Sequence, residues 1–296
     1  MNQSWWKRTT DLRTAVIFLA PSLFLFFLFT FYPLFRAAYL SAHLTDPTGA
    51  PSLFVGWENY LYLLFSPEFW NSLRVTFLFL LYTVPTSLVI GLYLALLANE
   101  NLRGIGAFRV LFSSTKVISG SISAIVWSFL FHPSVGLINH LLPFFGFPPV
   151  AWLLSPEWSL FSLSVVTVWV NIGFAFLILL GGLQNIDQSL YESAGIDGAG
   201  FFYRLRNITL PMLSPTLFFL STVMVINAFQ SFGQIDILTK GGPNDSTNVI
   251  GYAIYREAFE YYQFGTASAQ SMVLFLLMLV ITLIQFKISE KKVHYQ

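Results

Sequence analysis

Residues 191–211 read YESAGIDGAGFFYRLRNITLP, a polar, glycine-marked interruption in a chain otherwise rich in Phe, Leu and Val. Just upstream, Ser189-Leu190-Tyr191-Glu192 matches the S-x-x-E capping box, which places a helix start at Ser189. Leu190, Ala194 and the ring of Tyr191 can pack while Glu192 faces out. Gly195, Gly198 and Gly200 then permit a sharp reversal, because glycine reaches backbone conformations closed to other residues. FFYRLRNI follows, with Phe201, Phe202, Leu205 and Ile208 at helical spacing around Arg204 and Arg206, the pattern of a short helix lying on a membrane surface. Pro211 suits the first turn of a further helix, where its missing N–H costs nothing. The stretch is therefore expected to be a helix–turn–helix, and an exposed acid-bearing helix of this kind suits the groove of a partner.

The surroundings explain why the stretch stands out. Of 296 residues, 55% are hydrophobic and 10% charged, against about 25% charged in soluble domains. A bilayer core needs roughly 20 apolar residues in helix. Six stretches qualify, about 14–38, 70–98, 108–131, 159–182, 211–234 and 268–289, and the expected architecture is all-α with about six transmembrane helices in a single domain over 1–296. Pro85 and Gly91 inside the second do not disqualify it, since neighbouring helices can satisfy freed backbone groups. No alternating ten-residue segments suggest a barrel. The first run is too long for a secretory signal and lacks a clean cleavage site, so it reads as a retained span, with Trp5 and Trp6 beside Lys7 and Arg8 as an interfacial anchor.

Charge gives the orientation. With the N-terminus inside, the inner segments hold ten Lys and Arg (Lys7, Arg8, Arg13, Arg103, Arg109, Arg204, Arg206, Lys287, Lys291 and Lys292), and the outer loops three (Arg36, Lys240 and Arg256). The bias puts both termini in the cytoplasm. Arg74 and Lys116 fall near span ends and are expected to snorkel. The outer segments, 36–69, 132–158 and 235–267, are too short for a catalytic domain. The loop at 187–211 is the long inner one.

Composition narrows the function further. A net charge of +1 gives no basic patch for nucleic acid, and with no cysteine and four scattered His there is no metal-ligand spacing. No G-x-x-x-x-G-K-[ST] loop is present, so the chain does not hydrolyse ATP by that route. Every acid lies in a loop or at a span end and no inverted repeat is evident, which disfavours the main alternative, an ion-coupled secondary transporter of a small polar solute. A channel would need a filter motif, and a membrane enzyme a cluster of acids or nucleophiles at one face.

Polar residues within spans tend to face the bundle interior. In span five, Asn227, Gln230, Ser231 and Gln234 are spaced to share a helical face. In span four, Thr167 and Asn171 lie four apart, with Phe174 one turn on. Amides beside rings suit a sugar or polyol, since amides bond hydroxyls and rings cover C–H faces. Interhelical hydrogen bonding is the competing use of such residues. Trp127 and Trp169 read as packing, and Asp236 as solvated outside. Few bases lie within the spans, which tilts the expectation to a neutral solute.

The loop resembles the cytoplasmic EAA loop of permease subunits in binding-protein-dependent ABC importers. That loop runs E-A-A, then G, then I-x-L-P; here stand Glu192-Ser193-Ala194, Gly198 and Ile208-Thr209-Leu210-Pro211, with Ser193 the one departure in the triplet. LFHPSVGLIN (130–139) and LTKGGP (238–243) are similar to carbohydrate-uptake permeases of the maltose and glycerol 3-phosphate type. The resemblance implies an ATP-driven importer of a sugar or polyol-type solute in a bacterial inner membrane. Tyr191, Glu192, Ala194, Asp197 and Gly198 would couple to the ATPase, and Thr167, Asn171, Phe174, Asn227 and Gln230 would line the solute path. The implied partners are a second homologous permease, two ATPase subunits, an extracytoplasmic binding protein and membrane lipid. No catalytic residue, metal or cofactor is expected in this chain, ATP and Mg being bound by the ATPase.

Overall fold

The computed structural model describes residues 3–100, 103–116 and 118–290, and side chains over 14–288 within them. The anchor expected at residues 5–8, Arg13, and Lys291 and Lys292 lie outside the described side chains. The contacts divide the chain into two compact units, Met1–Phe65 with Ile254–Phe275, and Ser66–Ala253 with Leu276–Gln296.

In the first unit, α1 (Gln3–Phe26) runs through a π-helical turn into α2 (Tyr32–Leu40). The apolar window of Thr14–Leu40 buries nothing, as expected of a surface meant for lipid or another subunit. A two-stranded antiparallel hairpin follows, β1 (His43–Thr45) and β2 (Pro51–Phe54), the one departure from all-helical structure among the described residues. Asp46 ties its turn, accepting from the Thr48 hydroxyl at 2.6 Å and from the backbone N–H of Thr48 and Ala50 at 2.9 Å. These bonds, the hydroxyl first, hold its carboxyl below the ordinary value of 3.8. On α3 (Glu58–Phe65), the Asn59 amide donates to the carbonyls of Ser41 and His43.

The second unit is organised on two long helices, α4 (Pro67–Asn99) and α8 (Pro156–Gln184). Ser66 and Ser155 cap them, and Pro67 and Pro156 occupy the first turn, where proline is pre-organised. Apolar association cannot drive helices together in lipid, so close van der Waals approach must. Gly91 supplies it: a β-carbon there would lie 2.5 Å from that of Ala175. Phe79, Ala95, Leu163, Val166, Phe176 and Leu179 fill the buried seam around it.

Between these helices lie α5 (Ile105–Ser113), a 3₁₀ turn (Ser114–Lys116), α6 (Gly120–Leu130) and α7 (Leu137–Leu141). The expected third span is thus a bent pair. Asn139 secures the loop beyond α7, donating to the carbonyls of Pro133 and Val150 and accepting from the Val150 N–H and the Trp152 indole.

After α8 come α9 (Gln188–Ile196), α10 (Phe201–Arg204), a π-helical turn (Leu205–Thr209), α11 (Leu210–Met212) and α12 (Ser214–Phe229). The chain bends by 67° between Phe201–Met212 and Ser214–Phe229. Pro211 therefore sits before the bend, and Pro215 takes the first turn of the span. Gly182 allows the bend to seat on α8, since a β-carbon there would meet Leu213 at 2.8 Å and Thr216 at 2.9 Å.

The fifth span also ends early. Gln230 terminates α12, and Gln234 falls in a separate helix, α13 (Gly233–Leu238). The single polar face expected over 227–234 is broken. The physical reason is Gly251, which brings the start of α14 (Ile250–Tyr255) against the carbonyls of Phe229 and Ser231, at 2.8 and 3.2 Å from a β-carbon built there. The intervening turn is knotted by the Thr247 hydroxyl, bonded to the Thr239 hydroxyl and the Gly242 carbonyl. Asp236 is half-buried and accepts from the Tyr252 hydroxyl at 3.2 Å, so it is not simply solvated. Last, α15 (Phe264–Glu290) gives its first half to the first unit and the remainder to the second. Among the described residues four helices are long and apolar enough to cross a membrane, or up to six if each bent pair is one span.

Candidate functional site

The loop at 187–211 starts one turn away from the terminus of α8. Asp187, not Ser189, caps α9: its carboxylate accepts from the Ser189 N–H at 2.9 Å, which moves Ser189 to the second helical position. An ionised cap also meets the positive end of the helix dipole, an advantage a hydroxyl lacks. The Ser189 backbone bond is the first cause holding this carboxyl below its ordinary 3.8.

At the other end α9 closes in a Schellman motif. The N–H of Gly198 reaches the Gly195 carbonyl at 3.1 Å and that of Ala199 the Ala194 carbonyl at 2.9 Å. Gly198 is the left-handed residue, at φ +73°. Gly195 and Gly200 keep negative φ; Gly195 lies inside α9 and Gly200 caps α10. One glycine, not three, makes the reversal.

Glu192 and Asp197 are exposed, and Asp197 is the C-cap of α9. A carboxylate at a helix C-terminus opposes the dipole, so its charge there does not serve the helix. Two apolar side chains flank the turn: Ile196 is 88% exposed and Phe202 82%. Sequence reasoning passed over both as docking residues; the available signal was a lone branched apolar residue between a glycine and an acid. Exposed apolar anchors beside free charges are the composition of a binding face.

Tyr191 has a different place. Its hydroxyl bonds that of Thr209 at 3.0 Å, and Thr209 is buried. This joins α9 to the π-helical turn from which α12 departs. Ala194 is half-buried and supplies the carbonyl that the Schellman turn uses. A polar cleft of about 720 Å³ opens under the loop, lined by Tyr191, Phe201, Arg204 and Thr209 from the loop, with Glu100 and Arg109 opposite. Arg109 caps α4, donating from Nε and Nη2 to the Ala98 carbonyl at 3.1 and 2.8 Å. The ends of α4 and α8, the start of α5 and the loop therefore share one side of the unit, with Arg109 and Arg204 among them.

The polar residues of α8 lie farther in. Thr167 is buried and donates to Gln234 Oε1 at 2.7 Å, so its hydroxyl holds α13 to α8. Asn171 and Phe174 are half-buried. Asn227 and Gln230 are exposed at the end of α12, and no hydrogen bond joins them to Asn171 among the described residues. Trp127 and Trp169 pack edge to face at 6.2 Å. The Lys116 ammonium lies over the Phe174 ring, 4.8 Å from the centroid.

Comparison with known proteins gives a consistent picture. A family model described as the binding-protein-dependent transport system inner membrane component matches residues 1–295. The chain is 36% identical over 283 residues to the sn-glycerol-3-phosphate transport system permease protein UgpA of Pectobacterium atrosepticum, covering 95% of each. It is 34% identical over 282 residues to that of Agrobacterium fabrum, covering 94% of this chain and 95% of the relative. Among solved structures, a bacterial ABC transporter involved in the import of the acidic polysaccharide alginate aligns with a TM-score of 0.84 at 24% identity, over 98% of this chain and 99% of that one. A bacterial alginate ABC transporter in complex with an alginate pentasaccharide-bound periplasmic protein aligns with a TM-score of 0.84 at 24% identity, over 97% of each chain. The MetNI methionine ABC transporter aligns less closely, at a TM-score of 0.54 and 18% identity over 80% of this chain and 99% of that one.

Proposed function

The chain belongs to the family of inner membrane components of binding-protein-dependent transport systems, and from that premise we propose that it forms half of a permease pair in an ATP-driven importer for a sugar or polyol-type solute. The relatives named for sn-glycerol-3-phosphate transport, and the fold neighbour involved in alginate import, support that solute class. Two ATPase subunits would sit on the cytoplasmic side with ATP and Mg, leaving this subunit without catalytic residues of its own. A second homologous permease and an extracytoplasmic binding protein would complete the assembly, and the bound periplasmic protein of the alginate importer supports the latter. The excess of Lys and Arg on the loop side supports placing both termini in the cytoplasm.

The observation that carries the reading is the capped, exposed helix α9 with its rigid link to α12. Glu192 and Asp197 would meet basic groups of the ATPase, with Ile196 and Phe202 seated in apolar pockets. Closure of the two ATPases on ATP would drag α9. The Tyr191–Thr209 bond would pass that motion to the 67° bend at the root of α12, and Gly182 to α8. Both spans carry the side chains assigned to the path: Thr167, Asn171 and Phe174 on α8, Asn227 and Gln230 at the end of α12. Thr167, spent on Gln234, would position the path, and Asn171 and Asn227 would face solute hydroxyls.

Reversing one charge tests this. Glu192→Lys should leave the subunit inserted and folded yet abolish solute uptake, with any residual ATP hydrolysis no longer stimulated by the loaded binding protein. Normal uptake by this variant would remove the coupling role of α9.

A further inference from the structure

Lys116 is an exposed cation of the second unit. It ends the 3₁₀ turn that breaks the α5–α6 pair, and that break is pressed onto α8 at Gly173. A β-carbon at Gly173 would lie 2.2 Å from Thr115 Oγ1 and 2.9 Å from the Lys116 nitrogen, so only glycine admits the turn there. The next residue of α8 is Phe174, whose ring lies under the ammonium at 4.8 Å. Phe174 is ten residues from Gln184, the end of α8. That is roughly 15 Å of helix, about half of a ~30 Å hydrocarbon core.

A cation at that depth is costly and is normally paired or wetted. The ring covers one side of the ammonium and uses none of its three N–H donors. Among the described residues Lys116 makes no hydrogen bond and no ion pair. Among the described residues no carboxylate lies within ion-pair distance of the ammonium. Lys116 is exposed, and Asn171 lies one helical turn from Phe174 on α8. What remains is a cation with free donors over a ring, and one helical turn from that ring an amide able to bond hydroxyls.

We propose that Lys116 recognises an oxyanion on the solute, a phosphate ester or a carboxylate, and so restricts this importer to acidic sugars or polyols. The inference rests on the permease reading above and deepens it, replacing the neutral solute that the composition of the spans suggests. The ammonium would bond the oxyanion while Asn171 bonds a hydroxyl and the Phe174 ring faces the carbon skeleton. Lys116 is then a specificity-determining residue, and the aromatic contact pre-orients it.

The test uses the whole importer in proteoliposomes with its binding protein. ATP-driven uptake and solute-stimulated ATP hydrolysis are measured with sn-glycerol 3-phosphate, digalacturonate and maltose as probes, for wild type, Lys116→Gln and Lys116→Arg. The expected result is wild-type transport of at least one acidic probe, and the one transported distinguishes phosphate from carboxylate. Lys116→Gln should lower it by about tenfold or more, the loss of one charge-assisted hydrogen bond. Lys116→Arg should retain most of it. Wild-type transport of maltose alone, stimulation by neither acidic probe, or a Lys116→Gln variant with unchanged acidic uptake would each overturn the inference while leaving an importer in place. An equal fall for neutral and acidic probes, with a less stable complex, would assign Lys116 to pairing with another subunit and overturn it as well. A wild-type chain that assembles with no ATPase would instead overturn the reading beneath it.

Discussion

Gly198 and Asp187 do opposite jobs at the two ends of one short helix, and their substitution should separate fold from coupling. Nothing lies within 4 Å of a β-carbon at Gly198, so Gly198→Ala meets only the left-handed backbone penalty, about 1–2 kcal/mol. Gly198→Asn should cost less, because Asn tolerates that conformation. Thermal unfolding of the purified subunit should rank the three as Gly, Asn, Ala. Asp187 carries a pH signature. Its native pKa is depressed, so the stabilisation it gives is complete above the unfolded value of about 3.8. It is lost as the pH falls through the lower native value. Coupled uptake should show no step from Asp187 between pH 6 and 8, whereas Asp187→Ala should fray α9, read as faster amide exchange over residues 188–191. The glycine-marked reversal and the exposed acid were both legible in the sequence. The cap was misplaced because the S-x-x-E pattern fits Ser189 without revealing that Asp187, two residues earlier, offers a charged acceptor.

Helix breaks decide the next scale, and they were the least legible feature. Hydropathy over 108–131 and 211–234 reports continuous apolar runs, yet both are interrupted by tertiary contacts that only glycine permits: Gly173 under the α5–α6 turn and Gly251 under the end of α12. Neither glycine lies in the segment it breaks, so no local pattern could expose the break. The seam between α4 and α8 was hidden for the same reason, since Gly91 acts through Ala175 across the bundle. Gly91→Ala should destabilise by about 1–3 kcal/mol, the usual range for overpacking a filled core. Ala175→Gly in the same chain should recover much of that loss, because the clash is between those two β-carbons. A pair of variants in which the second substitution only adds damage would show that the contact does not set the spacing. Thr167→Val removes the hydrogen bond that holds α13 to α8, worth roughly 0.6 kcal/mol for such interhelical bonds. Its effect should appear as altered transport more than as unfolding, since Gln234 is left able to turn toward the path.

The whole chain is built to be incomplete. The window of Thr14–Leu40 buries nothing within this subunit, and only 6% of that of Phe264–Ile288 is buried, against 56% for Pro156–Gln184. The apolar windows of Thr14–Leu40 and Phe264–Ile288 are exposed in this subunit, as are Glu192, Ile196, Asp197 and Phe202 at the loop tip, surfaces that the proposed assembly would cover. Family membership explains the loop motifs, and the structure explains their chemistry: Asn139 in LFHPSVGLIN and Gly242 in LTKGGP serve as loop ties. The substrate was illegible because the polar residues within the spans stand singly on separate helices and form no motif. The most direct measurement is a mild-detergent purification of the tagged chain from its native membrane, with identification of everything retained. The account predicts a second permease and an ATPase in fixed proportion. A chain that purifies alone in several detergents would contradict it.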